Sequence, residues 1–409
     1  MIRAAIVGVS GYGRWHLLMA MEQALVGRLQ LIGAAVINQK EEATICARLR
    51  RQGVAVFESF DQMIAALAGQ IDVLLLPTGI QWHARMTVAA LEAGAHVLVE
   101  KPVAATLQQV DLIIAAQAAT GRMVAVGFQD LYVPASHDIK RRVLAGEIGA
   151  LQRVIVRAQW PRLPNYYTRN TWAGRLRADD AWVLDSPVSN AHAHFLMLAL
   201  FWAGQTPPDV ADVTTIEAEL YRLHAIESFD TISMRATTVS GVEILFHASH
   251  AGREDKAPEI RLVGDAGEVK WVYEKNYVVA PHGSPAQEFA VPGQLDTRLS
   301  VLEALVGRLR GEQPFLVEPS LARAHTRVMN ALHQFFPIKD IGQEHATSVD
   351  GTPEGSPSIR GLDTTLTEAA ERGVLFSSTG APWAFPGSAR SLAGYETFAG
   401  CWPGTTNLR

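Results

Sequence analysis

The 409-residue chain reads as an α/β protein: a doubly wound parallel sheet over 1–128, then an α+β domain with a large, mostly antiparallel open sheet over 129–338, and a C-terminal extension over 339–409. Two observations predict this. Up to residue 128, short apolar runs alternate with helical stretches of about a dozen residues, the pattern of βαβ units on a parallel sheet. Beyond it, strand-like segments follow one another through short glycine turns, and several alternate in polarity as half-exposed antiparallel strands do.

In order, IRAAIV (2–7) is a buried strand ending at Gly8, and 14–26 carries apolar residues at helical spacing. LQLIGAAVI (29–37) is the second strand, followed by a polar helix near 40–52. AVFES (55–59) is a short strand, and 60–69 a helix with Asp61 in its first turn. IDVLLLP (71–77) is a strand that ends at Pro77, and 81–94 a helix stopped by Gly94, a common residue just past a helix end. AHVLVE (95–100), a helix over 106–120 and RMVAVGF (122–128) complete the first part. The second part has strands at 151–160, 213–222, 229–238, 242–250, 258–264 and 268–274, with helices 188–203 and 299–311 expected to flank that sheet. A further helix runs from Pro319 to about Phe335. The Gly/Ser/Pro/Thr-rich stretch 340–361 reads as a linker, and 362–409 as a tail with one helix.

Composition narrows the function classes. With 48% hydrophobic and 19% charged residues the balance is globular, and a net charge of −5 leaves no basic field for nucleic acid. Cys46 and Cys401 are the two cysteines, with neither a disulfide framework nor metal-ligand spacing. No apolar run approaches the ~18 residues of a membrane span, and no signal-peptide pattern opens the chain, so a cytoplasmic protein with no membrane partner is expected.

On a doubly wound sheet, ligands bind beyond the carboxyl ends of the strands. Gly8-Val9-Ser10-Gly11-Tyr12-Gly13 follows the first strand and opens a helix, the context of a phosphate-cradling turn. Ser10 stands where the usual second glycine falls. At the second strand end, Asn38-Gln39-Lys40 replaces the acid that commonly holds the ribose diol; Asn38 can bond a ribose hydroxyl and Lys40 can attract a 2′-phosphate, so NAD and NADP both remain open. Pro77, Thr78 and His83 follow the fourth strand. Glu100-Lys101-Pro102 follow the fifth, where a lysine can polarise a substrate oxygen.

The set G-x-x-G-x-G-x-x-H (8–16), L-P-T-x-x-x-x-H (76–83), E-K-P (100–102) and V-G-F (126–128) resembles the glucose–fructose oxidoreductase/inositol dehydrogenase (Gfo/Idh/MocA) family. The resemblance implies a Rossmann domain binding NAD or NADP through Gly8, Ser10, Gly11, Tyr12, Gly13, Asn38, Lys40, Pro77, Thr78, His83, Glu100 and Lys101. It also implies hydride transfer on a sugar, cyclitol or related polyol, and a homodimer or homotetramer formed through the second domain's sheet. Lys101 matches the family lysine that contacts the substrate hydroxyl. The family's D-x-x-x-H helix matches best at Asn190 and His194, with asparagine in place of the acid; His194 is then the proton-exchanging group, and His192 is the competing register. Asp185 is expected as the cap of this helix. Upstream, Trp160, Arg162, Tyr167, Arg169 and Trp172 form an aromatic and basic loop suited to a sugar substrate. Tyr221, Arg222, His224, Glu227 and Asp230 line either the same site or an interface. Two rival readings stay open: a lyase or glycosidase that uses NAD transiently, and a nucleotide-binding sensor without turnover.

Overall fold

The structure, a computed structural model, describes residues 1–349 and 356–403 and divides into two compact units. The first comprises Met1–Val133 and Gln294–Arg323. Its six parallel strands are β1 (Ile2–Val7), β2 (Leu29–Ala35), β3 (Ala55–Phe57), β4 (Val73–Leu76), β5 (His96–Val99) and β6 (Val124–Val126). They lie in the order 3-2-1-4-5-6, the dinucleotide-binding order of doubly wound sheets. Between them run α1 (Gly13–Leu25), α2 (Ala43–Arg51), α3 (Phe60–Ala66), α4 (Ile80–Glu92) and α5 (Leu107–Thr120). The apolar runs become strands because helices cover both faces: all four residues of β4 are buried. Helix ends follow local chemistry. Thr106 and Gln109 form a capping box at the start of α5, and Gly121 ends it with φ +65°.

The sequence assigned the helix near 299–311 to the second sheet. It runs over Gln294–Leu309 in the first unit, where Val301, Leu302 and Leu305 join Met19, Ala20 and Leu29 in one core. The apolar stripe of that helix is legible, but a stripe does not name the surface it covers. The chain after it also supplies Val317, whose carbonyl accepts from Val126 N at 2.9 Å and pairs the open edge of β6. The boundary expected at 128 therefore moves to Val133, and the first unit takes back 294–323.

The second unit comprises Pro134–Gly293 and Ala324–Arg409. Its ten-stranded sheet runs 287–290, 276–281, 267–272, 256–264, 151–159, 243–249, 231–238, 213–222 and 338–340, with 388–391 also on 213–222. Pairing is antiparallel except between 151–159 and 243–249, and between 213–222 and 338–340. The helix Ala193–Trp202 covers one face, where Phe195 and Trp202 meet Trp271 at ring separations of 6.1 and 5.8 Å. The tail is part of this unit. Its helix Leu362–Arg372 packs on 151–159 and 243–249, and Phe376 and Trp383 pack on Tyr221. Glu219, 3% exposed, accepts from Ser377 Oγ and N at 2.5 and 3.2 Å and from Tyr221 Oη at 3.0 Å, and burial raises its carboxyl above the usual range. So part of the sheet expected to lie open is covered by the chain's own extension. In the expected linker, 346–348 and 357–359 pair as strands, and 350–355 lie outside the described residues.

Lys140, 1% exposed on the helix Pro134–Leu144, donates to Phe201 O at 2.6 Å and to Asp209 O, satisfying a carbonyl at the C-terminal end of Ala193–Trp202. Burial pulls its ammonium down to about 8. An unfolded lysine titrates near ~10.4. Between these two values the unfolded chain holds a proton that the folded chain has released, so this group's contribution to stability rises with pH across that window. Urea unfolding of wild type and Lys140→Met at pH 7 and pH 10 should show wild type gaining on the order of 2 kcal/mol relative to the variant; parallel pH profiles would refute the assignment.

Candidate active site

In the first unit, the turn after β1 is built for an anion. Gly8 and Gly11 adopt φ +83° and +52°, and a Cβ at either would meet only open space. Gly13 is constrained differently: a Cβ there would lie 2.5 Å from Gly8 O, so only glycine lets α1 start this close to the strand. The positive φ values fall on Gly8 and Gly11, so serine at position 10 meets no backbone obstacle. Ser10 O accepts from Gly13 N at 2.8 Å, and Ser10 Oγ accepts from Asn38 Nδ2 at 3.0 Å, which ties the glycine turn to the end of β2. Lys40 is exposed two residues on.

At the fifth strand end, Glu100 is buried and both its oxygens are engaged. Oε1 lies 2.8 Å from His16 Nε2 on α1, and Oε2 accepts from Lys101 N at 3.2 Å. Burial alone would raise this carboxyl, but the hydrogen bond and charge of His16, with Lys101, outweigh it and hold it below the usual range. A Cβ on Gly127 would sit 2.6 Å from Glu100 Oε1, so the glycine of V-G-F makes room for this carboxylate. His83, expected at the cofactor, is a buried tether between strand ends: Nδ1 lies 2.8 Å from Pro102 O and Nε2 3.1 Å from Thr78 O. Burial lowers its pKa despite these two acceptors, so the ring is neutral and donates to one carbonyl. Lys101, in the turn these contacts hold, is partly exposed.

These residues fit a dinucleotide. The glycine turn has open space above it, and Thr78 Oγ1 is buried just past β4 without a hydrogen-bond partner among the described residues. The sequence reading missed Arg298. Its guanidinium stacks 3.9 Å from the Trp15 ring centre and 5.6 Å from that of Tyr12, beside the glycine turn, and its Nε and Nη1 are buried with no hydrogen-bond partner among the described residues. No signal marks it in sequence, because it lies on Gln294–Leu309, far along the chain from the turn.

In the second unit, Asn190 does not share a helix face with His194. The helix begins at Ala193, and Asn190 lies in the preceding turn, where His192 N reaches Pro187 O and Phe195 N reaches His192 O. Nor does Asp185 cap the helix. It accepts from Gly174 N at 2.6 Å and from Asn190 Nδ2 at 2.9 Å, and Asn190 Nδ2 also donates to Tyr166 Oη at 2.9 Å. His192 is fully buried, its ring 4.6 Å from His250 and 5.2 Å from Trp160, whereas His194 is partly exposed. That exposure favours His194 over the competing register.

The aromatic and basic loop separates into residues packed in the interior and arginines stacked on aromatic rings. Trp160 is wedged among His192, Phe195 and Tyr273. Tyr167 lies tilted against His224, and its hydroxyl is buried without a hydrogen-bond partner among the described residues. Arg162 and Arg169 converge on the Tyr166 ring, and Arg169 also approaches Trp172. The candidate cluster around 221–230 does not form one site: Tyr221 faces the tail, Arg222 pairs with Asp340 at 2.6 Å, Glu227 accepts from Leu176 N, and His224 Nδ1 lies 2.8 Å from buried Asp230.

The family model described as an oxidoreductase family with an NAD-binding Rossmann fold (GFO_IDH_MocA) matches residues 2–128. A scyllo-inositol 2-dehydrogenase (NAD(+)) of Bacillus subtilis is 27% identical over 148 residues, 36% of this chain and 42% of that protein. A 4-carboxy-2-hydroxymuconate-6-semialdehyde dehydrogenase of Sphingobium is 26% identical over 165 residues, 40% of this chain and 50% of that protein. The chain thus spans half or less of the length of these relatives. The WlbA dehydrogenase of Bordetella pertussis, solved with NADH and UDP-GlcNAcA, is 20% identical with a TM-score of 0.66, covering 81% of this chain and 94% of that one. An oxidoreductase of Agrobacterium radiobacter, solved with NAD+, L-tartaric acid and magnesium, is 13% identical with a TM-score of 0.65, covering 81% and 94%.

The contact at Gly13 gives a direct test. Gly13→Ala forces a Cβ against backbone that cannot move aside, at a cost of about 1–3 kcal/mol typical of overpacking. Thermal melting should show the loss, and NADH fluorescence titration should show binding weakened or abolished; an unchanged melt and unchanged affinity would refute the close approach.

Proposed function

We propose that the chain, whose residues 2–128 match the model of the Gfo/Idh/MocA oxidoreductase family with its NAD-binding Rossmann fold, is an NAD(P)-dependent oxidoreductase acting on a sugar, cyclitol or related polyol. The observation that carries the reading is the buried support of Lys101: Glu100 bonds its backbone N and His16, while His83 fixes the carbonyl of Pro102. A flexible surface lysine would need no such support. When bound, the nicotinamide supplies or accepts the hydride. Lys101 presents its ammonium to the reacting oxygen and stabilises alkoxide character there. His194 exchanges the hydroxyl proton. Asn190, held by Asp185 and Tyr166, positions the turn that leads into the helix of His194.

Cofactor choice follows from the end of β2. Asn38 carries no charge to repel a 2′-phosphate, and Lys40 is exposed nearby, so NADP is accepted as well as NAD. A cytoplasmic location goes with this reading; among the described residues, no helix is long and apolar enough to cross a membrane. Self-association through the second unit's sheet falls to strands beyond the part its own tail covers.

Lys101→Ala is the decisive variant. The rate of NAD(P)H formation with a responsive polyol should fall by about a hundredfold or more, while NADH affinity by fluorescence stays unchanged. A variant that turns over like wild type would remove Lys101 from the chemistry, and a wild-type protein that binds neither NADH nor NADPH would overturn the reading as a whole.

A further inference from the structure

The segment 160–178 carries Arg162, Arg169, Arg175 and Arg177 and no acidic residue, in a chain whose net charge is −5. Two of these arginines are accounted for. Arg175 pairs with Glu227 at 3.5 Å, and Arg177 lies over Trp182 and donates to Asp180 O. The other two converge on one ring: the guanidinium carbons of Arg162 and Arg169 lie 4.6 and 3.7 Å from the ring centre of Tyr166. Neither is ion-paired with a carboxylate among the described residues, and Arg162 Nε is buried without a hydrogen-bond partner. The neighbouring carboxylate, Asp185, accepts from Gly174 N and Asn190 instead.

Two like charges held against the same ring repel each other. The ring offsets part of that cost, and an anion bound beside the two guanidiniums would offset more of it. Each guanidinium presents planar paired N–H donors that match a carboxylate or phosphoryl group. The cluster is also joined to the turn preceding the helix of His194, since Tyr166 Oη accepts from Asn190.

We propose that the substrate carries an anionic group, a carboxylate or a phosphoryl group, which Arg162 and Arg169 bind beside Tyr166. The inference rests on the oxidoreductase reading and narrows its substrate from neutral polyols to sugar acids or sugar phosphates. Arg169 is exposed at the rim and captures the anion; Arg162, half-buried, fixes its orientation.

The test measures binding without turnover. The full chain, with and without NADH, is titrated calorimetrically with glucuronate, glucose 6-phosphate and myo-inositol. At least one of the two anions should bind about tenfold or more tighter than myo-inositol, and which one does so separates carboxylate from phosphoryl recognition. Its affinity should fall with added salt. Arg169→Gln should weaken it about tenfold and Arg162→Gln further, with myo-inositol unaffected, and Arg169→Lys should restore part of the loss. Arg169 lies at the surface, so its variants test the site even where Arg162→Gln fails to fold. Equal or tighter binding of myo-inositol, binding of neither anion, or anion binding untouched by Arg169→Gln overturns the proposal. NADH binding is read in the same titrations, so failure of the oxidoreductase reading and failure of the anion site are separate results.

Discussion

The hydrogen bond between His16 and Glu100 organises the strand ends of the first unit. It joins the first helix to the end of the fifth strand through two buried side chains 2.8 Å apart. A buried carboxylate is costly unless its oxygens are satisfied, and here a ring nitrogen and a backbone N–H do so. Gly127 must then lack a side chain, because a Cβ would occupy the space Glu100 fills. The lysine that follows is thereby held on a turn rather than on a free loop. Four of the sequence signatures, the histidine of the first helix, E-K-P, V-G-F and the histidine of the fourth helix, are thus parts of one supporting structure. Lys101 stands in the turn that this structure braces.

This explains how much was legible in the sequence. The first sheet was readable almost strand for strand, because βαβ units confine each apolar run to a few residues between turn residues. The glycine turn was readable as a tight strand-to-helix turn, and the structure adds which glycines need positive φ and which needs only room. The roles of His83 and Glu100 were not readable, since a strand-end residue can face a ligand or brace its neighbours, and spacing does not separate the two. Arg298 was invisible for another reason. It comes from a helix that follows the second unit's sheet and returns to the first, and long-range packing of that kind leaves no local periodicity.

The region around Asn190 shows where a motif misleads about geometry. An i, i+4 pair presumes a helix, and residues 187–192 form a turn instead. Proline at 187 has no N–H to donate and fixes its own φ, so it starts the turn well, but the bond from His192 N to Pro187 O spans five residues and sets the chain out of α-helical register. The helix starts only after His192 has been buried among Trp160 and His250. The acid missing at 190 has a counterpart: Asp185 bonds the Asn190 amide directly, so a carboxylate remains in the network one link farther from the histidine helix. Asp185 also accepts from Gly174 N, so its carboxylate ties the loop before the helix to the segment that carries Tyr166. An acid at position 190 would place a second carboxylate against Asp185 and could not donate to it as the amide does. Asparagine there keeps the hydrogen bonds to Asp185 and Tyr166 and brings no charge to the Tyr166 hydroxyl.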